Sequence, residues 1–351
     1  MRFNWRQIVL ALIPLWATFV ALILGAGLIL LAGVNPLKAY IALFMGAFSD
    51  IYGISSTLLK TTPLIFSGLA VSLAFKGGVF NVGAEGQIYL GGLGAVLAGL
   101  YIKDLPPSLH IPVAFAAGFV AGGIWSVIPG YLKARHEVNE IITYIFLYFI
   151  AVLLIGYMVT GPLNEPGSHA AMSPEIAESA QLPIIFPNTD VHLGFLICIV
   201  LVFIMQFVLT KTTIGYQITA IGLNRTACQY AGINVVKSMI FLSIVSGGLA
   251  GLAGASEIMG VKYRLFEYFS PGYGLDAIVI AFLAKSNPIG VMVASVFFGA
   301  LRSGAGMMQR ATGLPTTAVM ALQGLVILFV AVSLVLPQWR PKWFKAERHS
   351  D

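Results

Sequence analysis

The sequence predicts an all-α integral membrane protein with about ten transmembrane helices, and three observations support this fold class. Of its 351 residues, 58% are hydrophobic and only 10% are charged, whereas a soluble domain is about one quarter charged. The mean hydropathy is +0.90. Apolar runs near the roughly 20 residues that cross a bilayer recur along the chain with short connections. Because helices satisfy their own backbone hydrogen bonds in lipid, we expect residues 1–351 to form a single transmembrane domain.

The first apolar run follows a basic N-terminal segment, residues 1–7, in the manner of a signal peptide. The run extends over Ile8–Ala32, which exceeds the roughly 7–15 residues of a cleavable signal core, so we expect a retained first span. The next spans are predicted, in order, at Leu58–Phe75, Gln87–Ile102, Ile111–Tyr131, Ile141–Thr160, Leu193–Thr210, Ser238–Met259, Gly274–Ala284, Ile289–Gly306 and Thr317–Leu336. Of the ten, the third is rather short and the eighth clearly so, and both contain or adjoin glycines.

Basic residues predict the orientation, because cytoplasmic loops of membrane proteins are enriched in Lys and Arg. With ten spans, the cytoplasmic segments contain Arg2, Arg6, Lys76, Lys133, Arg135, Lys211, Arg225, Lys237, Lys285, Arg340, Lys342, Lys345 and Arg348. The external segments contain Lys38, Lys103, Lys262, Arg264 and Arg310, while Lys60 and Arg302 lie within or at spans. We therefore expect both termini (1–7 and 337–351) and the loop 211–237 to be cytoplasmic, and the loop 161–190 to be external. Omitting the short eighth span would place the basic tail outside, so we retain it.

A polar, glycine-rich stretch, FKGGVFNVGAEGQIYLGG (residues 75–92), interrupts the apolar sequence. Such backbone is tolerated at membrane depth only where protein buries it or where it lines a water-filled cavity. The chemistry-bearing residues of this stretch are Phe80, Asn81, Gly83, Glu85 and Gln87. A structural interpretation is also open, in which Asn81 caps the following helix and Glu85 lies at its positive end.

A second stretch of this kind, SPGYGLDAIVIAFLAKSNPIG (residues 270–290), contains the single acid Asp276. Two short segments interrupted by Gly or Pro, one in each half of a chain, indicate a substrate path between repeats. We therefore predict that the residues singled out in the first stretch, together with Asp276, border such a path.

Two connecting segments have features of interaction sites. In the loop 211–237, Asn224 is predicted to cap a short helix that continues to Tyr230, with Gly232 as its left-handed stop. A linker helix lying on the membrane is the alternative. The loop 161–190 has four acidic residues, five prolines and no Lys or Arg. Long loops are commonly functional, so this loop either receives an external soluble partner or is a solvated cap.

Signatures of catalysis and of other binding classes are missing. The sequence has no GxxxxGK[ST] and no GxSxG motif, and HEVNE (residues 136–140) lacks the second histidine of a zinc-binding helix. Cys198 and Cys228 do not indicate a disulfide framework. The net charge of +6 is typical of basic cytoplasmic loops rather than of nucleic-acid binding. An intramembrane enzyme that uses Glu85 and Asp276 remains an alternative, as does a secondary transporter.

A series of spaced motifs resembles one known family. In chain order they are FKGGVFNVGAEGQ, NEIIT, TGPL…LP, GYQITAIGLNRTACQYAGI, SGGLAGLAGASEIMG, PGYGLDAIVIAFL…NPIG and GLPT. They resemble permease subunits of bacterial ABC importers for simple sugars and nucleosides, over about residues 36–332. The resemblance is to the branched-chain amino acid/ribose-type permeases, and within them to those that work with basic-membrane-protein-type receptors. Two departures, LYFIA at 147–151 and Lys285 in place of a small residue, leave the substrate open.

The resemblance implies a multi-pass permease of the bacterial cytoplasmic (inner) membrane that imports a nucleoside, of the purine class in particular, or a simple sugar. It implies three protein partners: a paralogous permease, a cytoplasmic ATPase that binds ATP and Mg, and an external substrate-binding lipoprotein. No cofactor is expected in this chain. The family's channel-lining motif falls on Asn81–Gln87, where Phe80 or Tyr89 could stack on a base. Its ATPase-coupling helix falls on Asn224–Gly232, which includes Arg225, Thr226 and Gln229.

Overall fold

The computed structural model describes residues 5–167 and 170–335. Every regular element in these ranges is a helix, so the predicted all-α membrane class is confirmed. The predicted cytoplasmic tail 337–351 lies outside the described residues, as do residues 1–4, Ser168 and His169.

The helices begin and end as follows. The α-helices are α1 (Trp5–Leu31), α2 (Pro36–Phe48), α3 (Ile51–Lys76), α4 (Ala84–Tyr101), α5 (Pro107–His136), α6 (Glu140–Thr160), α7 (Gly194–Lys211), α8 (Thr213–Leu223), α9 (Arg225–Tyr230), α10 (Val235–Glu257), α11 (Tyr273–Leu283), α12 (Pro288–Thr312) and α13 (Thr316–Val335). A 3₁₀ turn lies at Glu178–Ala180, and a π-helical turn at Ile258–Lys262 continues α10.

Among the described residues, fewer than ten helices are long and apolar enough to cross a bilayer. Six described helices are long and apolar enough to cross a bilayer: α3, α5, α6, α7, α10 with its π-helical turn, and α12. The pair α1 and α2, bent by 118°, gives a seventh if it is counted as one span. Ten spans are therefore not confirmed. One of the remaining predicted spans, α11, has only 11 residues and rises about 16 Å, roughly half the hydrocarbon thickness.

The chain divides into two compact units, residues 1–49 with 303–351 and residues 50–302. In the first unit, α1 packs against α13 and α2. Its core contains Ile29, Ala39, Ala305, Met308, Leu314, Val319 and Leu322. The helix α2 was not predicted, although its start is well specified: Asn35 Oδ1 accepts a hydrogen bond from Leu37 N (2.9 Å), and Pro36 is the first helical residue.

The second unit is built around α10, which packs against α3, α4 and α5. Small residues allow this packing, since Gly247 and Gly251 of α10 lie against Gly118 and Gly122 of α5. A Cβ atom on Gly251 would overlap the carbonyl oxygen of Gly118. Two GxxxG pairs therefore bring the two helix backbones into contact, as is usual where helices pack within a membrane.

The described residues of the loop 161–193 contact the segment that follows α10. Backbone hydrogen bonds join Ser173 N to Leu265 O (2.8 Å) and Ile176 N to Tyr263 O (2.9 Å). Arg264 pairs with Glu165, and Arg264 Nη2 lies 3.4 Å from Glu175 Oε2. These contacts make the loop part of the folded second unit.

His192, at the end of this loop, is also integrated into the fold. It is buried, and Gly194 N donates a hydrogen bond to its Nδ1 (3.2 Å). Burial lowers the pKa of His192 to about 4, so its imidazole is neutral at pH 7.

Candidate functional site

The glycine-rich stretch 77–83 leads from the end of α3 to a helix that begins inside the bundle. Gly78 has φ +74°, and α4 begins at Ala84 with Gly83 as its N-cap. Asn81 is therefore not the N-cap residue that one interpretation of the sequence predicted. Its Oδ1 instead accepts a hydrogen bond from Gly83 N (3.2 Å), inside the turn that precedes the helix.

Asn81 and Gln87 form a reciprocal pair of amide hydrogen bonds. Asn81 Nδ2 donates to Gln87 Oε1 (2.9 Å), and Gln87 Nε2 donates to Asn81 Oδ1 (3.1 Å). Asn81 also donates to Ser246 Oγ (2.8 Å), and Gln87 to Ser126 Oγ (3.2 Å). Both amides are fully buried. The network joins the stretch to α5 and α10, and a satisfied buried network of this kind specifies one packing arrangement.

Glu85 joins the two glycine-rich stretches. Its side chain is buried, and Oε2 accepts a hydrogen bond from Gly274 N (2.6 Å) in the first turn of α11. A Cβ atom on Gly274 would overlap the backbone nitrogen of Glu85, so only glycine permits this approach. The carboxylate therefore lies at the positive N-terminal end of α11 as well as in the first turn of α4.

The two helices diverge from this meeting point. The far end of α4 reaches the loop 161–193, where Ala177 N donates to Gly99 O (3.0 Å). The far end of α11 reaches the end of α3, where the ring centroids of Phe282 and Phe75 are 4.8 Å apart. The N-terminus of the 18-residue α4 and that of the 11-residue α11 therefore meet within the second unit.

Asp276 forms a buried ion pair that the sequence did not reveal. Arg302 Nε donates to Asp276 Oδ2 (2.7 Å), and Arg302 Nη2 donates to Pro271 O (3.1 Å). The guanidinium also lies over the ring of Tyr273, 5.1 Å from its centroid. Arg302 therefore holds the first turn of α11 through a charge pair, a carbonyl and an aromatic face.

Three further charged side chains were not singled out as site residues: Lys60 and Arg302, which the sequence places within or at spans, and Glu257. Glu257 is buried, 4.0 Å from Lys262 Nζ, and interacts electrostatically with Lys60. The available signal was position, because an ionisable residue within an apolar run is a candidate by default. Lys60, Glu257 and Arg302 all meet that criterion.

The two aromatic residues of the first stretch, Phe80 and Tyr89, differ in exposure. Phe80 is 45% exposed, and its ring lies 5.0 Å from that of Phe75. Tyr89 is buried against Phe269, with ring centroids 5.0 Å apart. A solute therefore cannot reach Tyr89 in this conformation, and of the two rings only Phe80 is accessible.

Gly83 and Gly86 lie against Tyr144 and Tyr148 of α6. Their lack of a side chain allows α4 to pack on α6.

The predicted cytoplasmic helix is present as α9. Asn224 Oδ1 accepts a hydrogen bond from Ala227 N (3.0 Å), and Gly232 has φ +80°, so the predicted cap and stop are confirmed. Thr226 and Gln229 are exposed. Leu223 and Tyr230 are also exposed, at 83% and 90%. Arg225 is only partly exposed, because Nη2 donates to the carbonyl oxygen of Gly78 (2.7 Å).

The part of the chain that the structure describes contains no group of three or more His, Cys, Asp or Glu side chains arranged to hold a metal ion. The two acids of the site have other partners: Glu85 accepts a hydrogen bond from the N-terminus of α11, and Asp276 pairs with Arg302. Both acids therefore contribute to the packing of α11.

Comparison with known proteins identifies a family over most of the chain. Residues 53–331 match the family described as branched-chain amino acid transport system / permease component. The guanosine ABC transporter permease protein NupP of Bacillus subtilis is 38% identical, over 93% of this chain and 94% of its own length. The glucose ABC transporter permease protein TsgB13 of Haloferax volcanii is 34% identical, over 93% and 88%. The guanosine ABC transporter permease protein NupQ of Bacillus subtilis is 26% identical, over 71% and 80%. No solved structure matches the chain.

Proposed function

The chain belongs to the family of branched-chain amino acid transport system permease components, and on that premise we propose that it is the membrane-spanning permease subunit of an ATP-driven nucleoside importer. One observation carries the proposal. The short helix α11, which has 11 residues, meets the N-terminus of α4 through Glu85 and Gly274 (2.6 Å). Broken helices at membrane depth mark the substrate path in other transporters, and their ends can separate without unfolding a continuous span.

In this proposal, the solute passes the stretch that contains Phe80, Asn81, Gly83, Glu85 and Gln87, with Asp276 beside it. Of these six residues only Phe80 is exposed, so the path opens when α4 and α11 part. The buried charge of Asp276 is paired with Arg302, which suits an uncharged solute. Phe80 can stack on a nucleobase, and two relatives are named as guanosine transporters. A sugar is the second candidate, because another relative is named as a glucose permease.

The proposal includes three protein partners and an orientation. NupP and NupQ are two related permeases of one bacterium, which supports pairing of this chain with a paralogous permease. A cytoplasmic ATPase would bind ATP and Mg and would contact α9, where Thr226, Gln229, Leu223 and Tyr230 are exposed. An external substrate-binding lipoprotein would dock on the loop 161–190. Both termini and the loop 211–237 would then face the cytoplasm of a bacterium.

Uptake of radiolabelled guanosine tests the proposal. Proteoliposomes would contain this chain with its companion permease, ATPase and receptor. We expect uptake that requires ATP, that stops when the nucleotide-binding lysine of the ATPase is replaced, and that continues after ion gradients are collapsed. Uptake that ignores the ATPase and follows an ion gradient would identify a secondary transporter, and conversion of guanosine by the chain alone would identify an enzyme. Competition by glucose but not by inosine would favour the sugar.

A further inference from the structure

We infer that Arg225 is a positioning residue, which holds the glycine-rich stretch 77–83 to the cytoplasmic helix α9 and thereby links movement of α9 to the beginning of α4. The inference rests on the proposed function, since it concerns how a displacement at the ATPase-facing surface reaches the substrate path. It gives Arg225 a binding partner within this chain, Gly78, whereas the sequence alone placed Arg225 with the ATPase-coupling residues.

The contact itself is short and charged. Arg225 Nη2 donates to the carbonyl oxygen of Gly78 at 2.7 Å, across 147 positions of sequence. Gly78 follows the last turn of α3, which ends at Lys76. A cation bonded to the Gly78 carbonyl, two residues beyond the end of α3, therefore lies near the partially negative C-terminus of that helix. A guanidinium is therefore a favourable partner at this position, and its hydrogen bond is stronger than a neutral one.

Beside Arg225, the backbone at the end of α8 is in direct contact with the backbone of residues 76–78. A Cβ atom on Gly222, at the end of α8, would overlap the carbonyl oxygen of Lys76. A Cβ atom on Gly78 would lie 3.2 Å from Gly222 Cα. With no side chain between the two backbones, a shift of the α8–α9 junction must also displace residues 76–78, since packed interiors do not deform continuously.

The same stretch continues directly into the site. Three residues after Gly78, Asn81 is bonded to Gln87 in the first turn of α4 and to Ser246 in α10. One series of contacts therefore leads from α9 through Arg225, Gly78 and Asn81 to α4. Glu85, in the first turn of α4, contacts α11 in turn.

The test uses the complete complex in proteoliposomes, with guanosine as solute and Arg225→Ala as the main variant. We expect receptor-stimulated ATP hydrolysis and guanosine uptake to fall about tenfold, the factor that one charged hydrogen bond contributes to an equilibrium. Basal ATP hydrolysis should stay near that of the unaltered complex. Arg225→Lys retains a cationic donor and should recover part of the loss.

Two further variants separate this contact from a general loss of charge or of packing. Lys237→Ala removes an exposed cation of the same loop and should behave as the unaltered complex. Gly222→Ala keeps Arg225 but forces the α8–α9 junction away from Lys76, and it should lower stimulated hydrolysis as Arg225→Ala does. Hydrogen exchange of the purified complex should rise at residues 77–83 in both Arg225→Ala and Gly222→Ala, with α10 unchanged.

Unchanged uptake in Arg225→Ala, or unchanged exchange at residues 77–83, would overturn the inference. An equal loss in Lys237→Ala would overturn it too, because charge alone would then explain the effect. Failure of the proposed function is distinguishable by crosslinking. If cysteines at Thr226 and Gln229 never crosslink to an ATPase subunit while exchange at 77–83 still depends on Arg225, the contact holds and the ATPase assignment fails.

Discussion

At the scale of single residues, Glu85 serves two helices with one carboxylate. It lies in the first turn of α4 and accepts a hydrogen bond from Gly274 N in the first turn of α11. The N-terminal N–H groups of a helix have no partner within it, and Gly274 is buried from solvent. The acid therefore satisfies a buried donor of α11 and adds a favourable interaction with its dipole.

Replacement of Glu85 separates its hydrogen bond from its charge. We expect Glu85→Ala to lower the free energy of unfolding by about 1–3 kcal/mol, because a buried backbone donor loses its acceptor. Glu85→Gln retains an acceptor oxygen and should cost less, with most uptake preserved. Thermal unfolding of the detergent-purified protein measures both, and Glu178→Ala, which removes an exposed acid, is the control. Equal loss in the Gln and Ala variants would show that charge is what matters.

The pair of Asp276 and Arg302 allows a double-mutant cycle. Their side chains are only 11% and 20% exposed, and loss of one partner from such a pair costs about 3–5 kcal/mol. We expect Asp276→Asn and Arg302→Gln each to destabilise the protein, and the double variant to be more stable than the sum of the two losses predicts. Strict additivity in thermal unfolding would mean that the two side chains do not interact.

The sequence shows which residues of the site are unusual, but it does not show which residues they contact. Glu85, Asn81, Gln87 and Asp276 stand out in the sequence because lipid excludes polar side chains. Their partners are not visible there, because Gly274 is 189 positions from Glu85 and Arg302 is 26 positions from Asp276. Only tertiary packing brings such residues together. For the same reason, the sequence placed Arg225 toward a partner protein, whereas the structure turns it toward Gly78.

At the scale of elements, the helix ends that have local signals were predictable and the others were not. The short helix α9 is present with its predicted cap, Asn224, and its predicted stop, Gly232, since both act within a few residues. The helices α2 and α8, of 13 and 11 residues, were missed because the search was for runs of about 20 apolar residues. The equally short α11 was retained only because the distribution of basic residues required an eighth span. The early start of α3, at Ile51 rather than Leu58, was missed for a related reason. Its first two turns include Ser55, Ser56 and Thr57, which lowered the hydropathy there.

Packing of α10 against α5 predicts contrasting effects for two glycines. A methyl group on Gly251 would overlap the backbone of α5, whereas one on Gly324 in α13 meets nothing within 4 Å. We expect Gly251→Ala to destabilise the protein by about 1–3 kcal/mol through overpacking. Gly324→Ala should be neutral or stabilising by up to about 1 kcal/mol, because alanine favours helix. Thermal unfolding of both variants in one detergent checks this, and equal behaviour would contradict the close packing of α10 on α5.

At the scale of the whole molecule, composition predicted the membrane class, whereas the predicted ten crossings are not confirmed. A window of apolar residues cannot distinguish a span from a half-helix buried by its neighbours. The 11-residue α11 is of the second kind, and its N-terminus meets that of α4 inside the second unit at Glu85 and Gly274. The count of basic residues assumed ten crossings, and five of those residues (Arg2, Arg340, Lys342, Lys345 and Arg348) lie outside the described residues.

Labelling of single cysteines tests the orientation, with Cys198 and Cys228 first replaced by serine. Glu178, in the loop 161–190, and Thr226, in α9, are both exposed, so accessibility at each position depends on the side of the membrane. We expect an impermeant maleimide to label Glu178→Cys but not Thr226→Cys in intact cells, because basic residues concentrate around α9 and are absent from the loop 161–190. Inverted vesicles should reverse the pattern, which controls for reactivity. The pair Ser168 and Ser350 would give the same comparison across the C-terminal tail, although both lie outside the described residues. If Thr226→Cys is labelled in intact cells and Glu178→Cys is not, α9 is external and cannot contact a cytoplasmic ATPase.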